Sequence, residues 1–211
     1  MVKFFKKGYF MYFKYGKKEI DYLKSKDKIL GDYIDKIGII KREVNPDVFY
    51  SLVHCICGQQ ISTKAHITIW NRILNSLGEI TPDNIIKTGV DNLKNFGMSY
   101  KKAEYIFEFA LKVKNREIEI ENLHKKPTDV IIKELTSLRG VGIWSAEMIL
   151  LFCMRRQDVL SYKDLGIQRG IKILYNKNEV TKEFFEELKE RYTPYLSVAS
   201  LYLWEAAGTN V

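Results

Sequence analysis

Apolar residues recur at spacings of three and four through almost every long segment of this chain. The strict alternation of a half-buried strand is nearly absent. The pattern predicts helices near 28–38, 46–59, 62–77, 82–87, 90–96, 99–114, 128–137, 142–155, 164–176, 182–192 and 195–207. Punctuation supports those starts. Asn45-Pro46 and Thr81-Pro82 each place a capping side chain before a proline at the first helical position. Ser62, Ser99, Thr128 and Thr181 can each cap the segment that follows. No repeat, low-complexity tract or long linker interrupts the chain. The expectation is a compact all-α protein.

One helix departs from the amphipathic pattern. The 142–155 segment is apolar almost all round, with Trp144, Met148, Ile149, Leu150, Leu151, Phe152, Cys153 and Met154. Such a helix belongs inside a fold. Its start nevertheless opens on Gly140-Val141-Gly142. Glycines there let another backbone approach and leave the first N–H groups of the helix without partners. A helix start of that kind binds phosphate well. With 128–137 before it, the segment reads as a helix–hairpin–helix, or equally as an ordinary αα turn.

Composition narrows the partner. The chain has 211 residues, 46% hydrophobic and 28% charged, which suits a folded protein with a substantial core. The net charge of +8 favours an anionic partner, nucleic acid first. Most of the excess sits in residues 1–30, with nine Lys against three acids, so a loosely held basic arm explains it equally well. Translation starting at Met1 or at Met11 fits the sequence equally well. Cys55, Cys57 and Cys153 are an odd number of thiols with no secretory leader, as expected of reduced cysteines in the cytoplasm. Their spacing is wrong for a zinc or iron–sulfur site, and Cys55 and Cys57 read as small packing residues. His54, His66 and His124 form no metal-binding motif. No apolar run approaches a membrane span, so no membrane partner is expected. Trp70, beside Ile67, Ile69 and Ile73, reads as core.

Five ordered motifs turn the hairpin into a specific signal. They are Gly58-Gln59-Gln60-Ile61-Ser62; Phe96-Gly97-Met98-Ser99 with Lys101-Lys102-Ala103; Gly140-Val141-Gly142 with Trp144-Ser145-Ala146; Asp164-Leu165-Gly166 with Arg169-Gly170; and Pro194 with Ser197 and Ala199 leading to Trp204. In this order they resemble the helix–hairpin–helix DNA glycosylase superfamily over roughly residues 46–208, nearly the whole chain. The closest likeness is to its alkylpurine branch, 3-methyladenine DNA glycosylase II. Strand-cutting members such as endonuclease III carry a Schiff-base lysine where this chain has Trp144.

The resemblance implies a two-lobed all-α fold with the active site in the cleft between lobes. Residues 48–156 would form one lobe ending in the hairpin, and 1–47 with 157–211 the other. It implies a monofunctional enzyme that flips an alkylated base out of damaged double-stranded DNA and hydrolyses its glycosidic bond. Asp164 would be the catalytic carboxylate, although by itself it reads as a helix N-cap. Trp144, Trp204, Gln59 and Met148 would line the base pocket, and Gln60 would wedge into the duplex. By position alone, the two tryptophans read as core and the two glutamines as helix-end residues. Met148 stands where the family often has an aromatic, which leaves the substrate range open. Gly140, Gly142, Arg139, Lys101 and Arg169 would grip the backbone, with Lys102 and Lys172 as further candidates; each cation reads equally as a solvated surface charge. Lys163 reads as solvated or phosphate-contacting. Carbonyls of Thr136, Leu138 and Val141 would hold a structural Na+ or K+. No catalytic cofactor and no iron–sulfur cluster are expected, and a monomer is the default. The alternatives are a glycosylase for oxidised or mismatched bases, and a non-catalytic DNA-binding protein built on the hairpin.

Overall fold

A computed structural model describes residues 11–208. They are helical apart from short connections and one two-stranded antiparallel sheet. In it, β1 (Met11–Tyr12) pairs with β2 (Glu43–Val44) in the register Met11 to Val44. The helices are α1 (Lys17–Lys26), α2 (Lys28–Ile37), α3 (Val48–Gly58), α4 (Thr63–Leu77), α5 (Pro82–Asn95), α6 (Tyr100–Lys114), α7 (Thr128–Thr136), α8 (Ile143–Phe152), α9 (Leu165–Leu174), α10 (Lys182–Tyr192) and α11 (Leu196–Ala206). A short 3-10 segment, Ile120–Lys125, precedes α7.

The chain separates into two compact units. One comprises residues 45–149; the other joins the segment up to Val44 to the segment from Leu150 onward. The division falls inside α8. The basic arm expected over residues 1–30 lies outside the described residues as far as residue 10, as does the Met1 start.

Most of the predicted caps hold their helices. Ser62 accepts from Ala65 N–H, Thr81 from Asn84 N–H, Ser99 from Lys102 N–H and Thr181 from Phe184 N–H, at 3.2–3.3 Å. Two differ. Asp47, not Asn45, caps α3 by accepting from Tyr50 N–H, while Asn45 accepts from Asp47 N–H in a local turn. Thr128 is the first residue of α7 rather than its cap. The segments expected at 82–87 and 90–96 are one stretch, α5, kinked at Gly89 with φ of 73°. Periodicity missed α1, read only as part of the basic arm. Its sole fully buried side chain is Leu23, so it carries too narrow an apolar stripe to register.

The unit of residues 45–149 is built around α3, which packs on α4, α6 and the 3-10 turn, with α5 against α6. Trp70 is fully buried there and donates its indole N–H to Tyr50 at 3.1 Å. In the other unit α9 packs on α11 at very short range. A Cβ on Gly170 would lie 1.9 Å from the Leu203 carbonyl oxygen, so only glycine permits the approach.

Candidate active site

The hairpin forms because α7 ends at Thr136 and the chain must reverse before α8. Val141 N–H closes the turn onto the Leu138 carbonyl at 3.1 Å. Gly140 has φ of 83°, and a Cβ there would strike the Tyr105 ring at 2.2 Å. Both the backbone conformation and the neighbouring ring therefore demand glycine. Gly142 meets nothing within 4 Å, and Gly142, Ile143 and Trp144 are exposed. From the next residue the helix goes inside, with Ser145, Ala146 and Met148 buried. Trp144 keeps 40% of its surface accessible, unlike Trp70, which is fully enclosed.

The cations expected near the hairpin are organised around Tyr105. The Arg139 guanidinium lies 5.2 Å from its ring centroid and pairs with Glu108. The Lys101 ammonium lies 5.9 Å from the same ring. Lys102 behaves differently. Its ammonium donates to the carbonyls of Cys57 at 3.0 Å and of Gln59, at the C-terminus of α3. Partial burial lowers its pKa. Here the expectation of a phosphate contact meets a lysine already engaged with the protein backbone.

Gln59 is the C-terminal cap of α3, and its side chain turns to the hairpin. The amide donates to the Gly140 carbonyl at 2.8 Å and to Ser145 Oγ at 3.3 Å. Gln60 follows with φ of 54°, an uncommon left-handed conformation for a side chain of its size, and it is exposed. Gly58 is small because the His66 ring from α4 occupies the space its Cβ would need, 2.6 Å away.

In the other unit, Asp164 is buried and caps α9. Its Oδ1 accepts from Ile167 N–H at 2.8 Å and from the Trp204 indole N–H at 2.9 Å. Capping therefore does not exhaust the bonding of this carboxylate, since the indole reaches the same oxygen as the helix N–H. Trp204 is 1% exposed and lies against Phe152, ring centroids 5.4 Å apart and 25° from parallel. Its ring also fills the space over Gly166, where a Cβ would meet Trp204 Cδ1 at 2.7 Å. The two glycines of Asp164-Leu165-Gly166 and Arg169-Gly170 thus bring α9 onto α11 and place the indole on the carboxylate. Arg169 and Lys163 are exposed.

The segment that carries the hairpin, the glutamine turn and the capping aspartate matches a known family. Residues 53–194 match the HhH-GPD superfamily of base excision DNA repair proteins. The chain belongs to that superfamily. A crystal structure of a DNA-3-methyladenine glycosidase from Bacillus halodurans superposes with a TM-score of 0.84 at 34% identity, covering 94% of this chain and 93% of that one. The 3-methyladenine DNA glycosylase of Schizosaccharomyces pombe, in complex with abasic DNA, shares the fold with a TM-score of 0.81 at 24% identity, over 92% of this chain and 98% of that one. By sequence, DNA-3-methyladenine glycosylase 1 of S. pombe is 26% identical over 85% of this chain and 79% of its own length. Two further relatives, from Bacillus subtilis, are longer, and the chain spans 58% and 57% of their lengths.

In this HhH-GPD protein, sequence motifs located the residues but not their partners. Ser145, Tyr105, Glu108 and Phe152 hold Gln59, Gly140, Arg139 and Trp204; Ser145 and Phe152 were visible as motif or apolar residues, while Tyr105 and Glu108 carried no signal of their own. Nor did the contact of His54 with His66, whose rings lie 4.2 Å apart across α3 and α4. Among the described residues, no group of three or more His, Cys, Asp or Glu side chains could hold a metal ion, and no helix is long and apolar enough to cross a membrane.

Proposed function

We propose that this chain is a monofunctional DNA glycosylase of base excision repair that releases alkylated bases such as 3-methyladenine and 7-methylguanine from double-stranded DNA. The observation that carries the reading is Asp164: a buried carboxylate fixed by a helix N–H and an indole N–H at one oxygen. A group held only to cap a helix has no need of the second donor. The carboxylate stabilises the sugar cation that develops as the bond from C1′ to the base nitrogen breaks. The bond's electron pair leaves with the base, and water completes the sugar. Alkylated purines of this kind carry positive charge and leave readily, so little proton donation is required.

Trp144 offers an exposed aromatic face on which a cationic base can stack, an interaction of about 0.5–2 kcal/mol. Its indole also stands where strand-cutting relatives carry an amine, so no Schiff base forms there. Met148 lines the same helix with an adaptable side chain. Gln60 fills the space that the flipped nucleotide leaves. The first N–H groups of α8 hold a backbone phosphate, supported by Arg139, Lys101 and Arg169. The carbonyls of Thr136, Leu138 and Val141, at the end of α7 and in the turn, are a hard-oxygen donor set suited to a structural Na+ or K+. The protein acts as a monomer, since one site treats one lesion.

The test is Asp164→Asn. Asparagine caps a helix about as well as aspartate, so fold and duplex binding are expected to survive. Release of methylpurine from alkylated duplex, followed by chromatography, is expected to fall at least about 100-fold. Retained turnover would overturn the role of Asp164. Strand breaks appearing without alkali would overturn the monofunctional reading.

A further inference from the structure

The Gln59–Gln60 turn is held from both sides, and Lys102 is the less expected of its two supports. Lys102 belongs to the first turn of α6, and its own N–H bonds to the Ser99 cap. From there its side chain crosses to the end of α3 and reaches the Cys57 and Gln59 carbonyls. The last carbonyls of a helix lack helical partners, and a cation there satisfies them. The bonded Gln59 carbonyl is part of the peptide that enters Gln60. Gln60 then takes φ of 54°, a conformation that persists in a non-glycine residue only where the surroundings hold it. On the opposite side the Gln59 amide is fastened to Gly140 and Ser145 of the hairpin.

We propose that Lys102 is a positioning residue that orients the Gln59–Gln60 turn, and that through Gln59 it ties the Gln60 side chain to the phosphate-gripping hairpin. The inference rests on the reading of Gln60 as the duplex wedge. Lys102 touches neither base nor phosphate in this role. Its contribution is to keep Gln60 aimed while a paired base is being displaced, the step at which unstacking is costly. A residue serving only stability would affect every substrate alike. A phosphate contact would weaken binding on all sequences and reduce its salt dependence.

The experiment compares 7-methylguanine paired with cytosine against the same base in a mismatched bubble. Wild type, Lys102→Met, the milder Lys102→Gln, Lys102→Arg and Gln60→Ala are assayed in single turnover, with thermal melting and duplex affinity over a salt series. Lys102→Met is expected to lose about 10-fold or more in rate on the paired duplex and little in the bubble. Its salt slope should be unchanged, and Lys102→Arg should recover most of the rate. Lys102→Gln is read in the same way should the methionine variant not fold. Equal losses on both substrates, no loss on either, or a salt slope smaller by about one would overturn the proposal. Failure of the wedge reading is separate. If Gln60→Ala loses nothing on paired DNA, that reading falls and takes this role with it. If Gln60→Ala loses rate and the Lys102 variants do not, the role of Lys102 alone falls.

Discussion

Asp164 carries two duties that a sequence motif cannot separate. Its Oδ1 caps α9 and receives the Trp204 indole N–H. The second bond fixes the carboxylate's rotation, because the indole is itself enclosed by Phe152 and the glycine at 166. Trp204→Phe keeps an aromatic ring, though a smaller one, and removes the donor. A hydrogen bond to a charged group contributes roughly 1.5–3 kcal/mol, only part of which bears on catalysis. We expect the single-turnover rate to fall about 10-fold with duplex affinity nearly unchanged. A rate equal to wild type would show that the indole contributes nothing through Asp164. Lys102 makes the same point from the other side. Its neighbour Lys101 and the lysine itself look alike in sequence, yet one lies over an aromatic ring and the other caps a helix.

At the scale of elements, glycines decide which helices can touch. Gly140 accommodates Tyr105 and Gly58 accommodates His66, but Gly170 is the most demanding. Alanine in a helix interior gains up to about 1 kcal/mol over glycine. Here the added methyl would lie 1.9 Å from a backbone oxygen of α11, and backbone cannot rotate away. Overpacking of this kind costs about 1–3 kcal/mol or more, so the clash wins. Gly170→Ala is expected to lower the melting temperature by roughly 5 °C. Because α11 also carries Trp204, excision should fall further than the loss of stability explains. An unchanged melting temperature would mean that α9 and α11 separate without cost. These glycines were visible in the sequence as motif letters. Their reason was not, since it lies in another helix, more than thirty residues away for Gly140 and Gly170.

Over the whole molecule, buried ionisable groups set the response to acid. Burial and the nearby His66 lower the His54 pKa to about 3, from 6.5. In the unfolded chain His54 binds a proton below 6.5, while in the folded protein it stays neutral until about 3. The unfolded state therefore holds more protons in that window, and stability falls as pH falls through it. Between pH 6.5 and 5 the effect is on the order of 2 kcal/mol. Asp27 adds to it at lower pH. Burial raises its pKa, but the Leu30 N–H, Arg191 and Tyr175 outweigh that and leave it lowered, so its stabilisation is lost as it protonates. Urea unfolding is expected to shift to lower denaturant between pH 6.5 and 5, and His54→Phe to remove much of that shift. An identical slope in the variant would place the acid sensitivity elsewhere.

The sequence by itself determined the helical class, most of the element starts and the motif residues on which the proposed site is built. Those depend on local information: apolar spacing, capping side chains, proline and glycine punctuation, and ordered motifs along one chain. It did not register α1, whose single buried leucine leaves no stripe to read. Only the tertiary structure decided what each side chain is bonded to. Gln59 binds the hairpin 81 residues away, Lys102 the α3 carbonyls 45 and 43 residues away, and Trp204 a carboxylate 40 residues away. Such partners follow from how helices pack, and a hydrogen bond across that distance leaves no periodicity in the chain that makes it.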